Sequence, residues 1–154
     1  MSTPIIEYIA ENIKDSIDLI VAGEVYNQTL SAVRPKRTDF RNASWDDLTV
    51  LINQMSSREL ESASMTKEWA QQFLLVAIVV DSDDSTDPID TRLNQVRGDI
   101  EKKLAEDLTR GGYAIDTEIN ESTPWIDDEG RLSGVAVLIT VHYRTKDNDP
   151  YTKG

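Results

Sequence analysis

Phe73-Leu74-Leu75-Val76-Ala77-Ile78-Val79-Val80 is the longest apolar run of the chain, and it decides the fold. A strand without a polar face is buried on both sides, so this run belongs in the middle of a sheet. It completes the strongest predicted strand, Trp69 to Val80. The run is far shorter than the ~20 residues that a membrane-spanning helix needs, so we expect no contact with a membrane.

Two amphipathic helices flank this strand in the sequence, and each has a capping residue, a proline at its first position and a terminating glycine. These signals are Thr3, Pro4 and Gly23 for the first helix and Asp87, Pro88 and Gly111-Gly112 for the second. Apolar residues that step by three or four predict a buried stripe on each helix. The stripes are Ile5, Ile9, Ile13, Ile17 and Ile20 in the first helix and Ile89, Leu93, Val96, Ile100, Leu104 and Leu108 in the second.

Four further strands are predicted. Glu24 to Arg34 lacks glycine and proline and stops before Pro35, and Leu48 to Ile52 is rich in branched side chains. Two segments near the C-terminus alternate in polarity, which predicts one buried and one wet face for each. Their expected buried residues are Tyr113, Ile115, Thr117 and Ile119 in the first segment and Val135, Val137, Ile139, Val141 and Tyr143 in the second.

The element order is therefore helix, three strands, helix, two strands, in a single domain that spans residues 1–154. It predicts an α+β fold, in which two helices pack on one face of a mostly antiparallel sheet of about five strands. The other face then needs partial cover, for example from a neighbouring subunit. The polar, serine-rich residues 53–67 are predicted to form a long excursion between two strands, ordered in part or only on assembly. Residues 145–154 are predicted to form a polar, extended tail.

Composition limits the classes of function. The net charge is −12, from 16 basic and 28 acidic residues, and such an excess of acid opposes ordinary nucleic-acid binding. It favours solubility, and it would also suit a channel through which DNA slides without sticking. There is no cysteine, which excludes disulfides, thiolate metal sites and cysteine nucleophiles. The N-terminus has no basic region before an apolar one, so we expect a protein made in the cytoplasm without a secretion signal.

No catalytic, cofactor or metal site is predicted. The acidic run from Asp81 fails as a calcium loop, because Thr86 stands where the loop needs glycine and Arg92 where it needs a bidentate acid. A solvated turn that caps the second helix explains the run better. His142 is the only histidine and lies on the polar side of its strand, without the partner that general-base catalysis needs. No phosphate-binding glycine motif or nucleophile elbow occurs, so we expect that the chain is not an enzyme.

A basic cluster contrasts with the acidic background. Arg34, Lys36, Arg37 and Arg41 fall within eight residues, at the end of one predicted strand and the start of a loop. Such a cluster is either a solvated loop or a surface that meets an acidic partner or neighbouring subunit or passes close to DNA. Arg58 in the 53–67 excursion and Tyr151 in the tail complete the set of candidate interface residues.

Two short stretches resemble a known family. They are Asp107-Leu108-Thr109-Arg110-Gly111-Gly112 and the terminal Val141-His142-Tyr143-Arg144-Thr145, which is followed by Asp149-Pro150-Tyr151. Together with the order of elements along nearly the whole chain, they are similar to the tail-terminator (tail-completion) proteins of bacteriophages. The long polar excursion at 53–67 departs from the family pattern and leaves its partner undefined.

This resemblance implies a structural virion protein at the tail or neck. Its partners would be further copies of itself in a ring, usually of six subunits, the tail tube protein and a head-side neck or connector protein. The ring would cap the tube, stop its growth and let genomic DNA pass without specific binding, with no chemistry and no cofactor. Two alternatives remain: another neck or head-completion subunit, and a small acidic α+β enzyme or regulator.

Overall fold

The computed structural model describes residues 2–36, 46–60, 65–80, 88–127 and 132–154, which form two helices and six strands. The predicted α+β class, antiparallel sheet and element order are confirmed, and the tail adds the sixth strand. In chain order the elements are α1 (Ile5–Asp18), β1 (Ser31–Val33), β2 (Thr49–Glu59), β3 (Thr66–Val80), α2 (Ile89–Glu106), β4 (Asp116–Ile126), β5 (Leu132–Lys146) and β6 (Asp149–Lys153).

The apolar run lies in the middle of the sheet, as predicted. The strand order is β1-β2-β3-β5-β4, with β6 on the end of β5, so β3 has a partner on both sides. β3 and β5 pair without a register shift from Thr66 opposite Lys146 to Val80 opposite Leu132. All pairs are antiparallel except β1 with β2. β2 and β4 are consequently the outer strands over most of the sheet.

Both helices pack on the same face of the sheet and form one core with it. The predicted stripes supply the helical side of that core, with Ile9, Ile13 and Ile17 in α1 and Val96 and Ile100 in α2 fully buried. Burial of such a side chain stabilises the fold by about 1.5–3 kcal/mol. The two central strands contribute alternate residues to the core, and those of β5 are the expected ones. The core residues are Phe73, Leu75, Ala77 and Val79 in β3 and Val135, Val137, Ile139, Val141 and Tyr143 in β5.

The helix ends differ from the prediction. Pro4 is the N-cap of α1 and no side chain caps it, so Thr3 does not act as the cap, and the helix stops at Asp18, before Gly23. Pro88 is the N-cap of α2, while Asp87 lies outside the described residues, as does the rest of the acidic run. α2 ends at Glu106, so Leu108 is not part of its stripe and is 43% exposed.

The predicted strand from Glu24 to Arg34 is wrong except for Ser31–Val33. The chain before it turns back on itself, with a bridge between Ala22 and Tyr26. Its backbone amides are bound by a side chain rather than by a neighbouring strand: Asn27 and Gln28 donate to the Asp99 carboxylate of α2. A tertiary contact therefore overrides the local strand propensity.

The polar excursion at 53–67 is also corrected, because most of it belongs to a β-hairpin. β2 continues to Glu59 and β3 begins at Thr66, with Ser57, Arg58 and Glu59 opposite Gln71, Ala70 and Trp69. Residues 61–64 lie outside the described part of the chain. The side chains of β2 beyond Asn53 are exposed, so strand pairing rather than burial holds this arm of the sheet.

The alternation proposed for 113–119 is right in part. Thr117 is buried and Tyr113 packs against the core, as expected, whereas Ile115 and Ile119 are 43% and 38% exposed and Ala114 is buried instead. β4 itself starts at Asp116 and extends to Ile126. Thr117 is held inward by the hydrogen bond from its hydroxyl to the Leu108 carbonyl, 2.8 Å. The tail is extended, as predicted, since β6 pairs with the end of β5.

Candidate interaction surfaces

Arg34 is bound within the subunit. Its Nη1 lies 2.6 Å from Glu7 Oε1 and 2.5 Å from Glu11 Oε1, both on α1. The hydrogen bond from Arg34 lowers the pKa of Glu7, and the same bond raises the pKa of Arg34. The guanidinium therefore ties the end of β1 to the first helix, and these contacts satisfy much of its charge.

The other candidate interface residues are spread over the molecule. Lys36 is exposed just after β1, and Arg37 and Arg41 lie outside the described residues. Arg58 is on the outer half of β2, whereas Tyr151 lies on β6 beside Ser2, Asp149 and Thr152. The described members of the set do not form one surface, so their shared role in an interface stays a prediction.

The two outer strands leave long backbone edges without a partner strand in the described part of the chain. β1 covers β2 only as far as Leu51, so β2 is uncovered from Ile52 to Glu59. β4, which has eleven residues, pairs with β5 on one side only, through ten residue pairs. Unpaired amide and carbonyl groups in such a row can pair with another chain.

These two edges lie on opposite sides of one sheet and differ in charge. The segment that contains β1 and β2, residues 31–60, carries five basic and four acidic side chains. The segment that contains β4, residues 113–130, carries six acidic side chains and no basic one. In a chain of net charge −12, the first segment is much less acidic than the second.

Both edges also carry features that restrict strand addition. β2 has a register shift between Gln54 and Ser57, β4 has one between Ile119 and Glu121, and Pro124 lies in β4. Bulges twist an edge away from a flat partner, and proline removes a donor, so indiscriminate pairing is disfavoured. A partner for either edge must match its shape and charge.

The sheet face opposite the helices, here called the open face, is divided into two parts. One part is apolar: Leu51 and Ile78 are buried, whereas Leu74, Val76 and Leu138 are partly exposed. Trp125 lies at the end of this part, close to Gly134. Neither helix covers this face. The sequence-based prediction that another element, for example a neighbouring subunit, covers part of it therefore stays a prediction.

The other part of the open face is a polar cleft that sequence patterns did not indicate. It is lined by side chains from four strands: Ser56, Arg58, Ala70, Gln72, Glu118, Asn120, Thr140 and His142. His142 Nε2 has no hydrogen-bond partner among the described residues and lies 3.5 Å from Glu118 Oε1. The alternation of β5 puts Thr140 and His142 on one face, but only the strand register shows what lies beside them.

No group of three or more histidine, cysteine or acidic side chains that could hold a metal ion occurs among the described residues. Neither helix in the described ranges has the length and hydropathy needed to cross a membrane. No protein-family model matches the chain, and a comparison with curated protein sequences finds no match. The surfaces described above therefore carry the functional argument.

Proposed function

We propose that this chain is a non-catalytic assembly subunit that forms a homo-oligomeric ring and acts as a tail terminator of a bacteriophage. The ring would cap the tail tube, stop its polymerisation and join the tail to the head. The observation that carries the proposal is the pair of unpaired sheet edges, β2 and β4, on opposite sides of one sheet. The resemblance of the element order and terminal motifs to that family supplies the specific role.

Opposite edges favour a head-to-tail contact. When β4 of one copy lies against β2 of the next, each copy keeps one edge free for a further neighbour. Such a contact produces a closed ring when the rotation per subunit closes, and a filament when it does not. Ring closure would also cover both strand edges of every subunit. This would explain why a single subunit has two long uncovered edges.

Charge supports the same contact. The acidic β4 segment of one copy would meet the more basic β1–β2 segment of the next, while two β4 edges would repel each other. The net charge of −12 keeps free subunits apart and soluble, and a lumen lined by acid would let DNA pass without binding. Assembly would therefore depend on a specific match between unlike edges rather than on apolar adhesion.

The mass of the protein in solution tests the proposal. We expect sedimentation to show a closed hexamer of the 17.3 kDa chain, alone or on addition of tail tube protein. Asp116→Lys combined with Glu121→Lys should weaken the ring while the circular dichroism of the subunit stays unchanged. Asp15→Lys combined with Asp90→Lys makes the same charge change on the helices and should leave the ring intact.

A stable monomer under all these conditions would overturn the assembly function. Deletion of the gene in its phage separates the terminator from other ring proteins. Overlong tails are the result expected of a terminator, because the tube would continue to grow. Finished heads beside tails of normal length would instead identify a head-side connector and contradict the tail-capping role.

A further inference from the structure

We propose that the polar cleft on the open face binds a carboxylate group, and that Glu121 from β4 of a neighbouring copy supplies it. This inference rests on the proposed ring, since it names a contact between adjacent copies. It assigns Arg58 as the main recognition residue. The cleft, the two bulges and the hydrogen-bond pattern of its amides each contribute to the argument.

Two bulges give the cleft its shape. The register shift of β2, between Gln54 and Ser57, and that of β4, between Ile119 and Glu121, fall on the two sides of the same part of the sheet. Bulges bend a strand and increase its twist, so at this level both outer strands turn relative to β3 and β5, whose pairing has no register shift. This bending gives the open face its concave shape at the cleft.

Hydrogen bonds inside the cleft leave it rich in donors. Thr140 Oγ1 donates to Asn120 Oδ1 at 2.6 Å, and Ser56 Oγ donates to Gln72 Oε1 at 3.4 Å. Each amide oxygen is thus used by a hydroxyl. The NH₂ groups of Asn120 and Gln72 are left without a partner in the described part of the chain, and they are available to an acceptor.

Arg58 supplies the positive charge. It lies opposite Ala70 on β3, which in turn lies opposite His142 on β5, so the small alanine side chain leaves a gap between the two longer ones. Strands are about 4.8 Å apart, which puts the backbones of Arg58 and His142 roughly 10 Å from each other. Arg58 makes no ion pair or hydrogen bond with any described residue, whereas Arg34, Arg92, Arg97 and Arg144 all do.

A planar anion with a single charge fits this arrangement. The guanidinium of Arg58 and the NH₂ group of Gln72, on adjacent strands, match the two oxygens of a carboxylate. Glu118 on the rim of the cleft opposes a second negative charge, so a phosphate dianion is less suited. The recognised group is therefore expected on an acidic side chain.

Glu121 is the acidic residue of β4 whose position suits this contact. It pairs with Leu138, whose side chain is on the open face, so Glu121 is on that face at the β4 edge. It is exposed, and among the described residues it accepts one hydrogen bond, from the hydroxyl of Thr123 at 3.2 Å. Glu118 is less suitable because it already faces His142. When β4 lies beside β2 of the next copy, cross-strand neighbours on one face are about 5 Å apart.

A charge exchange tests the contact by sedimentation. Arg58→Glu should weaken ring assembly at least tenfold, and adding Glu121→Lys to the same chain should restore it, because every interface then contains the exchanged pair. Two controls are matched in charge. Arg97→Glu alters the exposed surface of α2 and should assemble normally. Arg58→Glu combined with Asp90→Lys restores the net charge without restoring the contact, and it should stay weakened.

His142 provides a second measurement on the free subunit. As the only histidine it gives a single imidazole resonance, which acetate should shift at constant pH and ionic strength in the wild type but not in Arg58→Gln. Normal assembly of Arg58→Glu, or lack of rescue by Glu121→Lys, overturns the Glu121 contact while the ring itself stands. A monomeric wild type overturns the ring and this contact together. No Arg58-dependent shift with acetate would contradict the carboxylate chemistry in either case.

Discussion

Gln28 donates its backbone amide to Asp99 Oδ2 at 2.8 Å, across a sequence separation of 71 residues. The neighbouring amide of Asn27 donates to both oxygens of the same carboxylate, at 3.1 and 3.0 Å. Asp99 is only 3% exposed, so one buried side chain of α2 fixes the whole turn that precedes β1. This contact replaces the strand that local sequence predicts there.

Removal of this carboxylate should destabilise the fold. We expect Asp99→Ala to lower the free energy of unfolding by about 2–4 kcal/mol, because two backbone amides lose a buried, charged acceptor. Asp99→Asn should lower it by about half as much, since one amide oxygen remains. Urea denaturation measures both values. Asp15→Ala, an exposed acid on α1, should change the free energy by less than about 0.5 kcal/mol.

Two glycines should respond to alanine with opposite signs. A Cβ at Gly134 would lie 1.8 Å from the Ala77 carbonyl oxygen and 2.6 Å from the Trp125 ring, so Gly134→Ala should cost about 3 kcal/mol. A Cβ at Gly98, inside α2, would meet nothing within 4 Å. Gly98→Ala should therefore raise the free energy of unfolding by about 0.5–1 kcal/mol. Equal effects at both positions would contradict the packing described for Gly134.

The sequence predicted those parts of the fold in which periodicity and burial coincide. β5 alternates without interruption, and its pairing with β3 has no register shift over fifteen pairs, so the expected buried residues were right. The 53–67 segment is exposed, so no apolar pattern marked the strands of its hairpin. In β4, Thr117 is buried as expected, but Ile115 and Ile119 are partly exposed, and the bulge after Ile119 has no signal in a single sequence.

The polar cleft could be predicted only in fragments. Arg58 was a candidate from its charge alone, and His142 was expected on the polar side of its strand. Their association depends on Ala70, which lies between them in the sheet. Four strands that are distant in sequence contribute side chains, and two bulges set the curvature. Register information of this kind exists only in the folded chain.

The ion pairs between Arg34 and α1 should make stability depend on pH. The pKa of Glu7 is lowered in the folded protein from its ordinary value of 4.5, chiefly by its hydrogen bond from Arg34. The stabilisation is therefore present above about pH 4.5 and is lost as the pH falls through the lower pKa of the folded state. Glu7 and Glu11 are about half exposed, so we expect less than about 1 kcal/mol.

Urea denaturation of the wild type and Arg34→Gln at a series of pH values measures this difference. The two proteins should differ near pH 7 and converge at low pH. Lys153→Gln makes the same charge change on exposed β6, where Lys153 has no ion pair with a described residue. Its free energy of unfolding should differ from that of the wild type by an amount that does not vary over this pH range. If the difference in free energy of unfolding between the wild type and Arg34→Gln increases as the pH falls, the role of Glu7 is contradicted.

Among the described residues, Arg110 is the largest fully buried side chain, and burial of its charged guanidinium is unfavourable. Nη2 donates to the Leu104 carbonyl at the end of α2, while Nε and Nη1 have no partner in the described residues, and burial lowers the pKa of the guanidinium. Loss of the hydrogen bond to the carbonyl lowers the free energy of unfolding by about 1–3 kcal/mol, and removal of the buried charge can raise it by a similar amount. We therefore expect the free energy of unfolding of Arg110→Met to lie within about 1 kcal/mol of the wild-type value. Arg110→Ala leaves a cavity as well and should lose about 2–4 kcal/mol. If methionine is as damaging as alanine in urea denaturation, the hydrogen bond to Leu104 outweighs the cost of burying the charge.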